Sequence, residues 1–518
     1  MTFDLSQSMQ LIAALTPDII VMVGAMILML AAAWGRDSHE RQRSVGIAGI
    51  GVCVIAAITI LWFIARGATS TAGVIAVDNF RWIADLVFLA ATAGTLALML
   101  DYNAREEILP AEAHVLVLFA CSGMMMLAAA RDLILVFLGI EMMSIATYVL
   151  TGMNRRSARS AEGAIKYFLL GAFSTSFLLY GIALVFGATG ATNLQVIGER
   201  ITSQHLMGSA MLPIGIGLML IGFAFKVAAA PFHQWAPDAY DGAPTPITAY
   251  MAAAVKAAAF AAFLRVWLEA FPDAIAAWHT ALWWLAAVTM VVGNLVALAQ
   301  RNIKRMLAYS SIAHAGYLLV ALTTGQALGT SAFLFYIVAY TLATFGAFGV
   351  VVALGEAGEP SLAIDDYAGL WTSRPWLSVA MAVFMLALLG FPIFGGAGFF
   401  AKWYIIQAAL QSASPQTRLA VILVLTSVVS AGYYLGVIMT MFMKPRPETL
   451  PLPTARVGGA TRWVIGLAAV LLIVLGIFPN ALVRATRSEG AALHAPAPAA
   501  SAPNVITLQA PQQQALAR

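Results

Sequence analysis

Apolar runs of roughly 20 residues, each long enough as a helix to cross about 30 Å of hydrocarbon, recur along nearly the whole chain between short polar segments. Fourteen spans are predicted, at about 14–34, 44–66, 82–101, 113–130, 132–152, 161–188, 209–236, 245–271, 276–299, 305–324, 328–354, 375–408, 418–443 and 461–482. The expected fold is all-α and polytopic. The first span follows MTFDLSQS, which holds an aspartate and no basic residue. It lacks the positive n-region of a cleaved signal peptide and is expected to be retained as a helix. From about Gly490 the chain turns rich in Ala, Pro and Gln and poor in large apolar residues, which predicts a disordered tail. No segment is suited to a soluble domain.

Composition agrees with this pattern: 61% hydrophobic and 10% charged residues over 518 positions are values that a water-soluble core does not use. With the N-terminus outside, fifteen lysines and arginines fall in inner loops, Lys304 and Arg305 among them, against six in outer loops. Positive charge resists translocation, so both termini are expected to face away from the cytoplasm. The net charge of +4 mostly reflects this bias and gives no support to nucleic-acid binding. Cys53 and Cys121 both fall inside spans, and seven scattered histidines show no metal-ligand spacing. Two isolated cysteines do not ligate an iron–sulfur cluster. No redox centre or metal is expected in the chain itself.

Few charges remain deep inside the spans: Glu141, Lys226, Lys256 and Lys402, with Lys166 nearer an end. A lone charge at mid-membrane costs at least ~2.5–3.5 kcal/mol. Snorkelling to an interface is open only to a lysine near a helix end, which Lys226 and Lys256 are not. A static buried pair of Glu141 with Lys226 would leave Lys256 and Lys402 without carboxylate partners. Desolvation disfavours the ammonium form of a buried lysine, so such amines are candidates for proton exchange. The energies are commensurate. Moving a charge against about 150 mV takes roughly 3.5 kcal/mol, and one carboxylate at about 4 Å in an effective dielectric near 20 is worth ~4 kcal/mol.

Two spans are interrupted. Pro231 follows Lys226 by five residues and should break its helix, with Asp238 and Asp241 available to cap what comes next. In the twelfth span Gly390, Pro392, Gly395, Gly396 and Gly398 precede Lys402. Paired breaks in corresponding hydrophobic segments point to inverted-repeat transporters with polar sites at mid-membrane, and irregular backbone at that depth is tolerated only against protein or water. His233, Tyr240, Ser310, Ser311, His314, Tyr340, Thr341 and Thr344 are candidates to line a hydrated path. Each is equally compatible with plain hydrogen-bonded packing.

The segments FKVAAAPFHQWAPDAYDGAPTPITAYMAAAVKAAAF, GIEMMSIATYVL, AEGAIKYFLLGAFSTSFLLYG, RNIKRMLAYSSIAHAGY and GFPIFGGAGFFAKWYI resemble those of the antiporter-like membrane subunits of respiratory complex I, over roughly residues 10–480. Length, fourteen spans and no long lateral helix argue against the L-type subunit, and lysine rather than glutamate at 402 argues against the M-type. The resemblance implies that Glu141 and Lys226 form a coupling ion pair, that Lys256 is the central relay lysine and Lys402 the terminal one, and that Lys166, His233 and His314 are auxiliary. For Lys166, pairing with Glu162 one helical turn away is an equal alternative. It also implies two inverted five-helix repeats with discontinuous seventh and twelfth helices, at 113–271 and 276–443, between N-terminal helices in 1–112, a loop and last helix in 444–489 and the tail 490–518. It implies no cofactor in this chain, with FMN, iron–sulfur clusters and quinone in partner subunits. The partners are other antiporter-like and small membrane-arm subunits in a bacterial inner membrane, with both termini periplasmic. A subunit of an Mrp-type sodium/proton antiporter and a structural membrane anchor without an ion path stay open as alternatives.

Overall fold

The computed structural model describes residues 11–34, 37–68, 73–325, 327–359, 362–392, 396–447 and 457–492, apart from the side chains of Ala327 and residues 487–492. Gly395, the N-terminal MTFDLSQS segment and the tail beyond 492 lie outside them. Fourteen apolar helices follow one another in the expected places: α1 (Thr16–Ala33), α2 (His39–Ala65), α3 (Asn79–Arg105), α4 (Glu112–Ala129), α5 (Leu133–Thr151), α6 (Ala158–Thr189), α7 (Met211–Lys226), α8 (Thr245–Ala270), α9 (Ile275–Leu298), α10 (Ile303–Thr323), α11 (Ala327–Leu354), α12 (Pro375–Leu389), α13 (Thr417–Met443) and α14 (Gly459–Ile477). Twelve are long enough to span a membrane. The two short ones, α7 and α12, are the first halves of the interrupted spans. Two surface helices were not anticipated, Leu194–Ser203 and Pro479–Ala492. The second runs past the predicted start of the tail and rests on α11, where Ser331 donates to Thr486 at 3.1 Å.

Helices α8 and α10 are buried almost throughout, whereas α1, α2 and α14 bury only about a quarter of their side chains. Lipid tails are as apolar as leucine, so helices associate here through close packing more than through water exclusion. Small residues permit that approach. On α4, a side chain at Gly123 would lie 2.7 Å from the Met143 backbone nitrogen of α5.

Pro231 explains where α7 stops. It has no N–H to give, and its ring would clash with the carbonyl four residues earlier, so Lys226 is the last helical residue. Ala228 adopts the left-handed conformation (φ 57) and the closing bonds run from Ala228 N to Phe225 O at 3.0 Å and from Ala229 N to Ala224 O at 2.8 Å. A short helix, Trp235–Gly242, follows, anchored by Trp235 Nε1 donating to Phe225 O at 3.0 Å. The aspartates of this helix do not cap α8, which begins without a side-chain cap. Asp238 instead accepts Lys166 at 2.8 Å and Arg305 at 2.9 Å, and Asp241 accepts Asn302 Nδ2 at 3.0 Å. Opposite charges from α6 and α10 outcompete the weak pull of exposed helix amides.

Lys304 also departs from expectation. Counted above among loop cations, its side chain is fully buried, donating to Ala243 O at 2.8 Å and to Glu359 at 2.9 Å. Glu359 further accepts the Tyr102 hydroxyl at 2.9 Å and the hydroxyl of Thr245. One carboxylate from the segment after α11 therefore ties together α3, α8 and α10. Burial raises the Glu359 carboxyl, but the Lys304 ammonium and these hydrogen bonds outweigh it and hold the group below its ordinary 4.5. A depressed carboxylate stabilises the fold above its unfolded-state value and loses that contribution as pH falls through the folded one. The assembled protein should therefore lose thermal stability on acidification below about pH 4.5, and Glu359→Gln should flatten that acid limb while lowering stability at neutral pH; melting curves against pH check both.

At the second break, α12 ends at Leu389 and Gly390 takes the left-handed conformation (φ 82) that suits glycine at a helix end. The chain resumes as the helix Gly396–Gln411. Gly398 passes so close to α12 that a Cβ would lie 1.8 Å from Ala387 O. Gly398→Ala must push the two half-helices apart, at a cost of at least about 1–3 kcal/mol. Less assembled complex should survive mild heating in detergent, as read on native gels.

Candidate functional site

The break after α7 leaves Lys226 at a helix C-terminus facing α5. Its ammonium donates to Ser144 Oγ at 2.8 Å and Tyr148 Oη at 3.3 Å and lies 5.7 Å from the Tyr148 ring centroid. Glu141, one turn before Ser144 on α5, is only partly covered, and its Oε1 has no hydrogen-bond partner. Among the described residues no direct ion pair joins Glu141 to Lys226. Glu141, Ser144 and Tyr148 recur at helical spacing and so share one side of α5.

Lys256 is positioned by a different device. Residues Met251–Val255 form a π-helical turn, which widens the ladder and frees carbonyls. Tyr340 of α11 donates to the Ala252 carbonyl at 3.2 Å. Lys256, 2% exposed, follows this turn and donates to the Ser311 carbonyl at 2.8 Å and to the Ser311 hydroxyl. At the second break Lys402 reaches back to the Leu389 carbonyl at 2.8 Å, with its ammonium 4.8 Å from the centroid of Tyr317. Lysine here caps the broken end of α12.

Helix α10 connects the last two of these points, touching Lys256 through Ser311 and Lys402 through Tyr317. Ser310, Ser311, His314 and Tyr317 recur at helical spacing and share one face. His314 Nδ1 and Tyr336 Oη are 2.6 Å apart, and His314 Nε2 lies 3.1 Å from Tyr434 Oη, which also bonds Ser310. Beyond it, Asn294 Nδ2 donates to Tyr317 Oη at 3.0 Å and Tyr433 donates to Asn294 at 2.9 Å. The buried hydroxyls of Thr341 and Thr344, on α11, have no partner among the described residues. Such orphaned groups are normally satisfied by ordered water.

The structure thus gathers Lys256, Ser310, Ser311, His314, Tyr340 and Lys402 around α10, while Lys226 stands beside Ser144 and Tyr148 of α5, the helix that carries Glu141. Lys166 lies apart, half-exposed, shared between Glu162 at 2.6 Å, the expected partner one turn away, and Asp238 at 2.8 Å, which was not anticipated. His233 sits in the break itself, its Nδ1 unpartnered and its ring 6.4 Å from Tyr309. Tyr317, Tyr336, Tyr433, Tyr434, Asn294, Ser144 and Tyr148 were not singled out from sequence. Only the α10 spacing, extended by one turn to Tyr317, offered a signal.

A polar cavity of about 490 Å³ opens on the face that carries the α3–α4 and α5–α6 turns. Arg105, Glu106, Arg156, Arg159, Asp241 and Glu359 are among its lining residues, so the Lys304–Glu359 pair stands at its wall.

Comparison with known proteins places this arrangement. Residues 130–430 match the family described as NADH:quinone oxidoreductase/Mrp antiporter, transmembrane. NADH-quinone oxidoreductase subunit N of Gemmatimonas aurantiaca is 52% identical over 486 residues, 92% of this chain and 93% of that one. A chain of respiratory complex I from Thermus thermophilus with bound aureothin superposes with TM-score 0.76 at 36% identity, covering 90% of this chain and 98% of that one. A chain of the Mrp complex from Dietzia superposes at 0.81 with 20% identity, covering 94% and 98%, a likeness of fold alone. The fourteen helices, the two breaks and the identity across nine-tenths of the chain agree: this chain belongs to the antiporter-like NADH:quinone oxidoreductase family, as a multi-pass membrane subunit of the N type.

Proposed function

We propose that the chain carries protons across the bacterial inner membrane through the Glu141–Lys226–Lys256–Lys402 seam, driven by quinone reduction in partner subunits of complex I. One observation carries this reading: three nearly fully buried lysines are held by hydroxyl and carbonyl oxygens, with no carboxylate in direct contact among the described residues. An ammonium so placed has no fixed counter-ion to trap its proton, and each oxygen partner tolerates the neutral amine. The lysine can therefore change charge without a change of fold.

Glu141 supplies the variable term. When Lys226 leaves Ser144 and Tyr148 for the carboxylate, its ammonium gains an attraction of ~4 kcal/mol at an effective dielectric near 20. That is comparable with the roughly 3.5 kcal/mol needed against about 150 mV. Pairing then raises the proton affinity of Lys226 and separation lowers it, which favours transfer toward Lys256. From Lys256, Ser311 and the His314–Tyr434–Ser310 cluster offer groups that both donate and accept, and Lys402 stands at the far end. Lys166 steadies the Trp235–Gly242 helix through Asp238, and His233 is an auxiliary group at the break.

The lysine and arginine bias puts the 490 Å³ cavity on the cytoplasmic side, as an intake, and both termini in the periplasm. The two breaks belong to inverted repeats at 113–271 and 276–443. FMN, iron–sulfur clusters and quinone reside in partner subunits, and the exposed helices meet lipid and neighbouring membrane-arm subunits.

The test is proton pumping in intact membranes. Lys226→Ala and Lys256→Ala should each abolish NADH-linked proton translocation with the complex still assembled. Ser311→Ala, which keeps the backbone carbonyl, should slow it about tenfold, the loss of one charge-assisted hydrogen bond of ~1.5 kcal/mol. Normal pumping and quinone reduction in an assembled Lys226→Ala complex would leave this chain a structural anchor.

A further inference from the structure

A second concentration of charge lies where α1 meets α3. Arg81, in the first turn of α3, is fully buried against the ring of Trp82, 4.4 Å from its centroid. Its Nη1 donates to the Ala76 carbonyl at 2.9 Å and its Nε to Asp85 at 3.3 Å, and Nη2 pairs with Asp18 of α1. Asp85 is fully buried and Asp18 is 14% exposed at its side chain. Two carboxylates therefore share one guanidinium.

The neighbouring charges offer no relief, because they neutralise each other. Asp78 accepts both terminal nitrogens of Arg265, at 2.8 and 3.0 Å, together with the Arg81 backbone amide at 2.8 Å. Glu269 is shared by Arg265 at 2.9 Å and Arg131 at 2.8 Å. Among the described residues the thiol of Cys121 on α4 also lies near both carboxylates, with Cys53 of α2 beside it, and neither carries a positive charge. Oδ1 of Asp18 and Oδ1 of Asp85 are both buried without a hydrogen-bond partner. A guanidinium cannot give up its proton, and a net negative charge in a buried cluster is strongly disfavoured. One added proton brings Asp18, Asp85 and Arg81 to neutrality and turns an orphaned carboxylate oxygen into a donor.

We propose that Asp18 and Asp85 hold one exchangeable proton between them, forming a proton-binding site separate from the lysine seam and reached through the partly exposed Asp18. The experiment is infrared difference spectroscopy of the intact purified complex across a pH titration, comparing wild type with Asp85→Asn and Asp18→Asn. Wild type should show, at neutral pH, a protonated-carboxyl stretch of one group per chain beyond those of either variant. The band should vanish in both variants, since each leaves one carboxylate per guanidinium, and NADH-linked pumping should be retained. If Asp85→Asn fails to assemble, Asp18→Asn at the more exposed position supports the same comparison. Identical spectra in wild type and variants would overturn the site. Persistence of the band in Asp18→Asn would overturn the sharing, and a parallel fall in pumping would overturn its separation from the seam.

Discussion

An ammonium group inside hydrocarbon must find oxygen atoms, and this fold supplies them from hydroxyls on packed helices and, where helices are interrupted, from the carbonyls set free. Each interruption exposes carbonyls that an unbroken helix would spend on itself, at the end where the helix dipole is negative. Lys402 takes the last carbonyl of α12, Lys304 the carbonyl that follows the Trp235–Gly242 helix, and Lys226 is itself the final residue of α7. The breaks and the lysines are two halves of one solution. Closing a break would remove the oxygen, and removing the lysine would leave the carbonyl orphaned in an environment where that costs several kcal/mol.

Around these anchor points the seam is built from side chains that keep their shape whichever way a proton sits. Serine, tyrosine and neutral histidine both donate and accept, so a hydrogen-bonded row can reverse its polarity by rotation of hydroxyls. Helix α10 suits this purpose because it is wrapped on nearly all sides and presents Ser310, Ser311, His314 and Tyr317 on one face. The aromatic rings beside His314, with Tyr317 at 5.4 Å and Tyr340 at 4.9 Å between centroids, hold the imidazole by packing. They leave its nitrogens for Tyr336 and Tyr434.

Much of this was legible in the sequence because lipid imposes a simple code. A run of apolar residues must be a helix, a proline inside it must break it, and a charge inside it must have a reason. That code placed the fourteen helices, the breaks after Lys226 and before Lys402, and the lysines. It did not reach partners separated along the chain. Nothing local announces that Glu359 closes on Lys304, or that Tyr434 finds His314, because those contacts exist only once distant helices pack. The code also misjudged polar residues near helix ends. Asp238 and Asp241 look like caps from their spacing, and Lys304 looks like a loop cation from its neighbours. In the folded chain, ion pairing across helices is the stronger claim on each. The helix Pro479–Ala492 escaped because a surface helix lacks the long apolar run on which the code depends.

The buried cations divide by chemistry, and the division matches what the proposed relay asks of each position. Arg81 and Arg265 are fully buried, and both are given carboxylates, because a guanidinium stays charged and its charge must be met permanently. Lys226, Lys256 and Lys402 are almost as deeply buried and are given hydroxyls, carbonyls and aromatic faces. An ammonium can become neutral, so its surroundings need to suit both forms. Exchanging the two residue types would defeat both designs. Under the proposed relay, arginine in the seam would fix a charge that has to come and go, while lysine in the α1–α3 cluster would lose the planar fork that reaches Asp18, Asp85 and Ala76 together. Lys304, held by Glu359, is the exception among the buried lysines described, and its carboxylate partner places it with the permanent ties that frame the seam.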